Sequence, residues 1–258
     1  MICYKNLGHY NLTGRGSSMD RYDTDAFQKD LEDFGILLSE GQLWQFLRYY
    51  EMLVEWNERM NLTAITEYGD VLKKHFVDSL SLVKACDLGS AASLIDVGTG
   101  AGFPGLALKI AFPHLQVTLL DSLGKRVHFL DAVIEELKLT GVKGIHGRAE
   151  ESARPGKLRE SFDLCVSRAV ANLSTLSEYC IPFVKRGGLF IAYKSEQAVP
   201  EIDRAKKALE ALGGKMEERI EFHLPGSDIY RSLFVIKKAE RTPAKYPRKA
   251  GMPSKEPL

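Results

Sequence analysis

Several features that would point to particular protein classes are scarce or absent from this sequence of 258 residues. Its four cysteines are scattered and include no CxxC pair, which is typical of a chain kept in a reducing cytosol. The six histidines show no spacing that suits metal ligation, so we expect no metal site. No apolar run approaches the roughly 18 residues of a membrane span, and the first residues lack the apolar core of a signal peptide. These absences predict a cytoplasmic protein without a membrane segment.

Charge is nearly balanced overall but unevenly distributed. The formal net charge is +1, yet residues 1–18 carry +2 and residues 241–258 carry +4, which leaves −5 on residues 19–240. Basic ends on a mildly acidic body suggest a polyanionic partner that is held locally. The first 18 residues are polar and glycine-rich, and a helix-like pattern begins at Met19. We therefore expect 1–18 to be disordered or to precede the true start.

The first third of the chain reads as helical. Ser39 and Gln42 form a capping box ahead of a long amphipathic pattern, and a further helix is expected at about 70–85. We expect 19–90 to form a helical region packed on the main domain.

From residue 91 to residue 240 the pattern changes to short apolar runs that alternate with helical segments. The runs read SLIDVG, QVTLLD, KGIHG, FDLCVSR and GGLFIAYK, and the helical segments are 104–111, 124–139, 172–184 and 200–212. This alternation predicts an α/β domain with a parallel sheet. Two later runs, 215–224 and 231–238, are expected to close the sheet as an antiparallel pair. The basic tail, 241–258, contains four prolines and is expected to lack regular structure and to follow an RNA backbone. The alternative is that the tail folds back and covers the sheet, with Tyr246 as its anchor.

A glycine-rich stretch separates the first strand from the first helix of this domain. It reads LIDVGTGAGFPGLALKI, in which Gly98, Gly100 and Gly102 permit positive φ angles and a bare backbone. Such a loop at the carboxyl end of a strand is typical of Rossmann-type nucleotide sites. A tight turn without any ligand explains the glycines alone equally well.

Two acidic residues favour a ligand at this loop. Asp121 ends the second apolar run, where a carboxylate accepts hydrogen bonds from ribose hydroxyls, although capping of the next helix is an alternative role. Asp96 stands at the end of the first strand, where an acid suits a cationic ligand such as the amino or sulfonium group of S-adenosylmethionine. A loop-stabilising Asx turn is the alternative for Asp96.

Several motifs together resemble one known family. The segments DVGTGAGFPG, LLDSLGKRVHFL, GRAEE and SRAVANL, with the lead LVEWNERMNLTAIT, the segment KHFVDSL and the terminal TPAKYPRKAGMPSK, are similar to the guanine-N7 methyltransferases of small-subunit ribosomal RNA, also called the glucose-inhibited division protein B family. The resemblance extends from about Met19 to the C-terminus, and its combined motifs are far more specific than the glycine loop alone.

The resemblance implies a class I, Rossmann-like methyltransferase with an N-terminal helical extension and S-adenosylmethionine as cofactor. It implies methylation of a guanine of 16S RNA in the 530-loop region (conventional position 527), on the small ribosomal subunit or an assembly intermediate. We expect the protein to be a monomer. The cofactor positions that the resemblance carries over are Gly98, Phe103, Asp121, Ser122, Leu123, Ala149, Glu150 and Arg168, supported by Asp96, Gly100 and Gly102.

The chemistry of guanine N7 explains which motifs are missing. N7 carries an in-plane lone pair and loses no proton on methylation, so alignment and electrostatics suffice without a dedicated base. After the fourth strand the sequence has neither the Asn/Asp-Pro-Pro-aromatic motif of exocyclic-amine methyltransferases nor a Pro-Cys nucleophile. Arg168 stands there instead, where it would fix the cofactor carboxylate or the base's O6, with a surface ion pair as the alternative. The catalytic candidates are Arg168 and His75.

A second group of residues is expected to border the pocket or to contact RNA. Family resemblance nominates Asn61, His75, Asp78 and Ser79, strand ends nominate Lys194 and Arg231, and the basic tail nominates Lys245, Arg248 and Lys249. Helix caps, core hydrogen bonds and solvated strand ends are the structural alternatives. Two other classes also use such features: a nicotinamide-dependent oxidoreductase with the same loop, and a non-catalytic RNA-binding assembly factor.

Overall fold

The computed structural model describes residues 21–91, 93–168, 171–195 and 200–258. The expectations for residues 1–18 and for a start at Met19 lie outside this part of the chain. Within it, the helical segments are α1 (Asp25–Glu32), α2 (Glu40–Met60), α3 (Tyr68–Val71), a π-helical turn (Leu72–Val77), α4 (Asp78–Leu80), a 3₁₀ turn (Ser81–Lys84), α5 (Gly105–Ala111), α6 (Gly124–Glu136), α7 (Ala149–Ser152), α8 (Leu173–Cys180), a 3₁₀ turn (Ile181–Phe183), α9 (Glu201–Leu212) and α10 (Met252–Lys255).

Seven strands form one sheet, which confirms the predicted α/β fold. The strands are β1 (Ser93–Val97), β2 (Gln116–Asp121), β3 (Val142–His146), β4 (Phe162–Arg168), β5 (Val184–Lys194), β6 (Gly214–His223) and β7 (Tyr230–Lys238). Their order is β3-β2-β1-β4-β5-β7-β6, in which β1 to β5 are parallel and β7 is antiparallel to both of its neighbours. The order reverses between β1 and β4, the position at which ligands bind in open α/β sheets.

Alternate residues of the inner strands face two separate cores. In β5, Ile191 and Tyr193 pack with the N-terminal helices, whereas Phe190 and Ala192 pack with α8 and α9. This alternation places a helical layer on each face of the sheet, as parallel sheets require. The N-terminal helices therefore cover one face of the sheet and reach its ligand-binding edge.

Helix boundaries differ from the sequence expectations for identifiable reasons. The helix expected over 124–139 ends at Glu136, because Lys138 adopts a left-handed backbone conformation with φ +52°. The helix expected over 172–184 ends at Cys180, and Pro182 lies in the 3₁₀ turn that follows, because proline lacks the N–H that would continue the helix. The single helix expected at 70–85 is divided by the π-helical turn.

The C-terminal tail corrects one expectation. The tail does not lack regular structure: it packs back on the body, as the folded-back alternative predicts, and includes the short helix α10. The Arg248 guanidinium donates to both carboxylate oxygens of Glu178, which is fully buried, at 2.7 to 3.1 Å. Thr242 and Tyr246 are buried as well. Proline prevents a long helix, but it does not prevent an extended segment from making side-chain anchors of this kind.

Candidate active site

A cavity of about 910 Å³ opens at the carboxyl edge of the parallel strands. Its lining comes from the loops after β1 and β2, from the ends of β4 and β5, and from the start of the antiparallel β7, which lies at the same edge. The N-terminal helical region and Glu201, at the start of α9, supply the remaining wall. The lining residues are Leu62, Thr63, Lys74, His75, Asp78, Gly98, Thr99, Gly100, Ala101, Phe103, Asp121, Ser122, Arg126, Arg168, Tyr193, Lys194, Ser195, Glu201 and Arg231.

The glycine loop adopts the conformation that its sequence predicts. Gly98, Gly100 and Gly102 have φ angles of +73°, +61° and +99°. A Cβ at Gly102 would lie 2.5 Å from the Tyr49 hydroxyl and 2.5 Å from Leu106 Cδ1, whereas a Cβ at Gly100 would meet nothing within 4 Å. Gly102 is therefore required for packing, and Gly100 leaves open space beside the cavity.

Asp96 stabilises this loop from behind. Its Oδ2 accepts hydrogen bonds from the Thr99 hydroxyl at 2.6 Å and from the Gly105 N–H at 2.8 Å, so the Asx-type role is real. Its Oδ1 is buried without any hydrogen-bond partner in the described structure. Burial raises the pKa of Asp96 to about 6. A buried carboxylate oxygen with an unused lone pair, directly behind the cavity-lining Thr99, is suited to a cationic ligand.

Asp121 connects the second strand to the loop. Its Oδ2 accepts the Gly100 N–H and its Oδ1 accepts the Leu123 N–H, both at 2.9 Å. Arg126 adds a longer contact of 3.4 Å to Oδ2. Helix α6 begins without a side-chain cap, so the capping alternative for Asp121 is wrong. An ionised carboxylate has about four acceptor sites, so Asp121 keeps acceptor capacity toward the cavity that it lines.

The π-helical turn presents His75 to the cavity. The His75 ring stacks on Phe103 with centroids 4.4 Å apart and an interplanar angle of 15°. Its Nε2 lies 2.9 Å from the Thr63 hydroxyl, and its Nδ1 lies 3.4 Å from Arg168 Nη2. Burial first, and then the Arg168 charge, lower the pKa of His75 to about 3. The imidazole is therefore neutral at physiological pH, and π-helical turns of this kind are frequent at functional sites.

A buried carboxylate holds two arginines at the cavity wall. Asp78 Oδ2 accepts from Arg168 Nη1 at 3.0 Å, and Asp78 Oδ1 accepts from Arg231 Nε at 2.9 Å. The Asp78 side chain is 4% exposed, compared with 14% for Arg168 and 22% for Arg231. The Arg168 guanidinium also lies 5.2 Å from the centroid of the Phe103 ring. Two cations on one carboxylate leave a surplus positive charge and unused N–H donors at the cavity.

Two further contacts link distant parts of the chain to the site. The Tyr49 hydroxyl, on α2, donates to the Ala101 carbonyl at 2.5 Å and so connects the helical region to the glycine loop. Lys194 donates to Glu201 Oε2 at 2.8 Å and to the Ala171 carbonyl at 2.7 Å.

The cavity lining as a whole contains five cationic side chains and three carboxylates, which favours an anionic ligand.

Several residues that the sequence nominated do not line the cavity. Glu150 is buried and its Oε1 accepts the Gly251 N–H of the tail at 2.8 Å. Ser79 is fully buried and its hydroxyl donates to the His75 carbonyl at 2.5 Å, which supports the π-helical turn from inside. Asn61 is exposed and ends α2 in a left-handed conformation, with φ +49°. Leu123, Ala149, Asp96 and Gly102 also lie outside the lining.

The three tail residues predicted to contact RNA differ in their surroundings. Arg248 is engaged by Glu178 and is not free to grip a phosphate backbone as expected, because both oxygens of that buried carboxylate bind its guanidinium. Lys245 and Lys249 are exposed, and they remain predicted RNA contacts.

The sequence reading missed several lining residues. Thr63, Lys74 and Glu201 border the cavity, although no motif nominated them individually. Thr63 lies inside the NLTAIT segment and Lys74 begins the KHFVDSL segment, both of which carried the resemblance, whereas Glu201 lies outside all the quoted segments. Within the described ranges, no group of three or more His, Cys, Asp or Glu side chains is arranged to hold a metal ion. Over the same ranges, no helix is long and apolar enough to cross a membrane.

A seven-stranded sheet in this order, with a glycine loop after β1 and an acid at the end of β2, defines a class I, Rossmann-like methyltransferase. Solved structures show the same fold. A Klebsiella pneumoniae protein solved as a candidate O-methyltransferase is 14% identical with a TM-score of 0.51, and the alignment covers 74% of this chain and 90% of that one. A chain of the complex between the Haloferax volcanii Trm112 methyltransferase activator and a candidate methyltransferase is 13% identical with a TM-score of 0.52, covering 73% and 98%.

The family follows from closer relatives. The family model described as GidB, rRNA small subunit methyltransferase G, matches residues 42–229. Proteins named ribosomal RNA small subunit methyltransferase G are 52% identical over 236 residues in Lachnoclostridium phytofermentans (92% of this chain, 98% of the relative) and 49% identical over 234 residues in Clostridium tetani (91% and 98%). This chain belongs to the rRNA small subunit methyltransferase G family.

The cavity fits the cofactor of this family, S-adenosylmethionine. The partnerless Oδ1 of Asp96 suits the positive charge of the methionine part. The open space at Gly100 lets a ligand approach the backbone, and the spare acceptor site on Asp121 Oδ1 suits a ribose hydroxyl. Arg168 and Phe103 complete the candidate set at the cavity wall.

Proposed function

We propose that this protein transfers the methyl group of S-adenosylmethionine to N7 of a guanine in the 530-loop region of 16S ribosomal RNA. Family membership carries the reaction class and the RNA. The single structural observation that carries the mechanism is the cluster of Arg168, Arg231 and Asp78 beside His75 at the cavity wall. It offers hydrogen-bond donors and surplus positive charge, but no side chain poised as a base.

The residues of the chain act by positioning the cofactor and the RNA relative to each other. Asp121 and the glycine loop hold the cofactor, and the buried Asp96 carboxylate behind the loop favours its positive charge. The cofactor supplies an electron-poor methyl group on a positively charged sulfur. Arg168 and Arg231 orient oxygen acceptors of the RNA and are themselves fixed by Asp78. The His75 pKa of about 3 makes the imidazole a poor proton acceptor at neutral pH. Guanine N7 has no proton to lose, so none needs to be accepted.

We propose the following division of labour along the chain. Residues 19–90 form a helical region that supplies one wall of the cavity, through Thr63, His75 and Asp78. Residues 91–240 form the methyltransferase domain. Residues 241–258 brace the body, and Lys245 and Lys249 remain candidates for RNA contact. We propose that the protein acts in the cytoplasm, as a monomer.

The experiment that tests this function compares three substrates. Purified small subunits, free 16S RNA and partial assembly particles, all lacking the modification, are incubated with the protein and labelled S-adenosylmethionine. We expect label in at least one of the three, at N7 as shown by reductive chain cleavage at the modified guanine. Label on an exocyclic amine, or no label in any substrate, contradicts the proposal.

Two control titrations separate the other classes. A nicotinamide oxidoreductase would bind NAD more tightly than S-adenosylmethionine in calorimetry, and we expect the reverse. A non-catalytic assembly factor would bind the RNA without methyl transfer in single-turnover conditions, and we expect transfer.

A further inference from the structure

Thr63 occupies a fixed position in the cavity wall. It lies in the loop after α2 and lines the cavity. Its backbone N–H donates to Asn57 Oδ1 at 2.9 Å, which ties the loop to the helix. Its hydroxyl oxygen lies 3.0 Å from the Ile65 N–H and 2.9 Å from His75 Nε2. The Ile65 N–H and the His75 ring therefore fix the position of the Thr63 hydroxyl.

The lone pairs and the proton of the Thr63 hydroxyl determine whether it donates a hydrogen bond to a ligand or accepts one from it. A threonine oxygen has two lone pairs and one proton. The Ile65 N–H takes one lone pair, and the other is taken if His75 Nε2 carries a proton. In that arrangement the hydroxyl can only donate. Within residues 21–91, 93–168, 171–195 and 200–258, no acceptor receives its proton, so the donor is available to a ligand in the cavity.

The neighbours of His75 select the protonated Nε2. Arg168 Nη2 lies 3.4 Å from Nδ1, and a guanidinium only donates, so Nδ1 must offer its lone pair. The ring is neutral because burial and Arg168 hold its pKa at about 3, and a neutral ring with a bare Nδ1 carries its proton on Nε2. The Lys74 carbonyl is a backbone acceptor beside the ring, and Arg168 Nη1 already donates to it at 3.4 Å. A proton on Nδ1 would place an N–H against the Arg168 Nη2 donor.

We propose that the Thr63 hydroxyl donates a hydrogen bond to O6 of the target guanine, with His75 as the positioning residue that keeps it a donor. This inference rests on the proposed function. Guanine presents N7 and O6 on one edge, and N7 must stay free for the methyl group, so O6 is the acceptor left for recognition on that edge. Adenine carries an amino group at that position. A hydroxyl that can only donate accepts guanine and rejects adenine.

Three variants test the contact. Thr63→Val keeps the shape and removes the proton; we expect kcat/KM for the RNA substrate to fall roughly 10- to 100-fold, with unchanged affinity for S-adenosylmethionine. Thr63→Ser keeps the hydroxyl and should recover most of the activity. Thr66→Val is the matched control in the same loop, where the threonine is exposed and does not line the cavity. Weakened S-adenosylmethionine binding by Thr63→Val would overturn the inference in favour of a cofactor contact.

A change in the substrate isolates the O6 bond. Small subunits are reconstituted with ligated 16S RNA in which the target nucleotide is guanosine, or 2-aminopurine riboside, which keeps N7 and lacks O6. The original protein should prefer guanosine roughly 10- to 100-fold, and Thr63→Val should reduce that preference to within about threefold. An undiminished preference in the variant overturns the inference. Failure of the original protein to methylate guanosine would instead overturn the proposed function.

The tautomer of His75 gives a test that needs no substitution. Nitrogen NMR of the full chain, labelled at histidine and bound to S-adenosylmethionine, distinguishes protonated from bare ring nitrogens. We expect a proton on Nε2 of His75 and none on Nδ1. A proton on Nδ1 would free the Thr63 oxygen to accept, and the inference would then be wrong.

Discussion

Two arginine–carboxylate clusters in this protein contain the same functional groups but differ in their net charge and in how many of their hydrogen-bond donors are occupied. In the tail, Arg248 meets Glu178 one to one, with both carboxylate oxygens engaged and the glutamate fully buried. At the cavity, Asp78 is shared by Arg168 and Arg231. The first cluster is saturated and neutral. The second keeps a surplus charge and unused donors, and these face the cavity.

The difference shows how a working site is distinguished from a structural brace. Asp96 has one oxygen without a partner, and Asp121 retains one spare acceptor site. With the His75 tautomer inferred above, the Thr63 proton also has no described acceptor. Incomplete hydrogen bonding is costly in a buried place, so its concentration around one cavity indicates a ligand that completes it. The tail shows no such deficit among its described side chains.

The largest effect is expected in the saturated cluster. Arg248→Met leaves the buried Glu178 without its cation, which should lower the free energy of unfolding by about 3 kcal/mol, the low end for a buried pair because Arg248 is partly exposed. Affinity for S-adenosylmethionine should not change. Denaturant unfolding and calorimetry measure both quantities. Lys249→Met, at an exposed neighbouring position, is the control; an equal loss there would remove the special role of the pair.

Asp121→Ala tests the spare acceptor site of this carboxylate at the cavity. We expect the affinity for S-adenosylmethionine to weaken by about 2 kcal/mol, because ribose hydroxyls lose their acceptor and the Gly100 N–H loses its partner. Calorimetry on the folded variant measures the change. If the affinity stays the same, Asp121 serves only to connect β2 with the loop.

Arg231→Met is expected to have the opposite effects to Arg248→Met: a small loss of stability and a larger loss of activity. Asp78 keeps Arg168, so the free energy of unfolding should fall by no more than about 1 kcal/mol. The kcat/KM for the RNA substrate should fall about tenfold, which corresponds to about 1.4 kcal/mol of transition-state stabilisation. Single-turnover assays and denaturant unfolding test the pair of values. A large loss of stability with unchanged kcat/KM would make this cluster a brace as well.

The unpartnered oxygen of Asp96 predicts a pH dependence of binding. Burial raises its pKa from 3.8 to about 6, so the folded apo protein holds the proton more tightly than the unfolded chain. That contribution to stability is complete below pH 3.8 and is lost as the pH rises through about 6. A cationic ligand needs the ionised form, so its affinity should decline as the pH falls below about 6. Asp96→Asn should abolish this slope in calorimetry between pH 5 and 8, and a slope that persists would assign it to another group.

The sequence predicted the strand side of the site better than the helical side. Asp96 bonds Thr99 and Gly105, three and nine residues away, so a short motif records the whole loop. Asp78 meets Arg168 and Arg231 across 90 and 153 residues. Nothing local in the sequence specifies those pairs, which form only when the helical region packs on the sheet.

The tail was difficult to predict for the same reason. Four prolines and a basic charge correctly excluded a long helix, but the anchor at Glu178 lies 70 residues away from Arg248. The π-helical turn also left no mark in the periodicity, because Leu72 and Phe76 are buried at a spacing that an ordinary helix uses as well. Its effect on His75 is visible only in the structure.

The central claim is that methyl transfer to N7 proceeds without a titrating base, and a pH profile of the chemical step tests it most directly. Single-turnover rates are measured with enzyme, S-adenosylmethionine and RNA substrate all saturating, from about pH 6.5 to about pH 8.5. We expect a variation of less than about twofold, because N7 loses no proton and the His75 pKa of about 3 lies far below this window. A rate that rises about tenfold per pH unit near neutrality would contradict the claim and require a general base in the cavity.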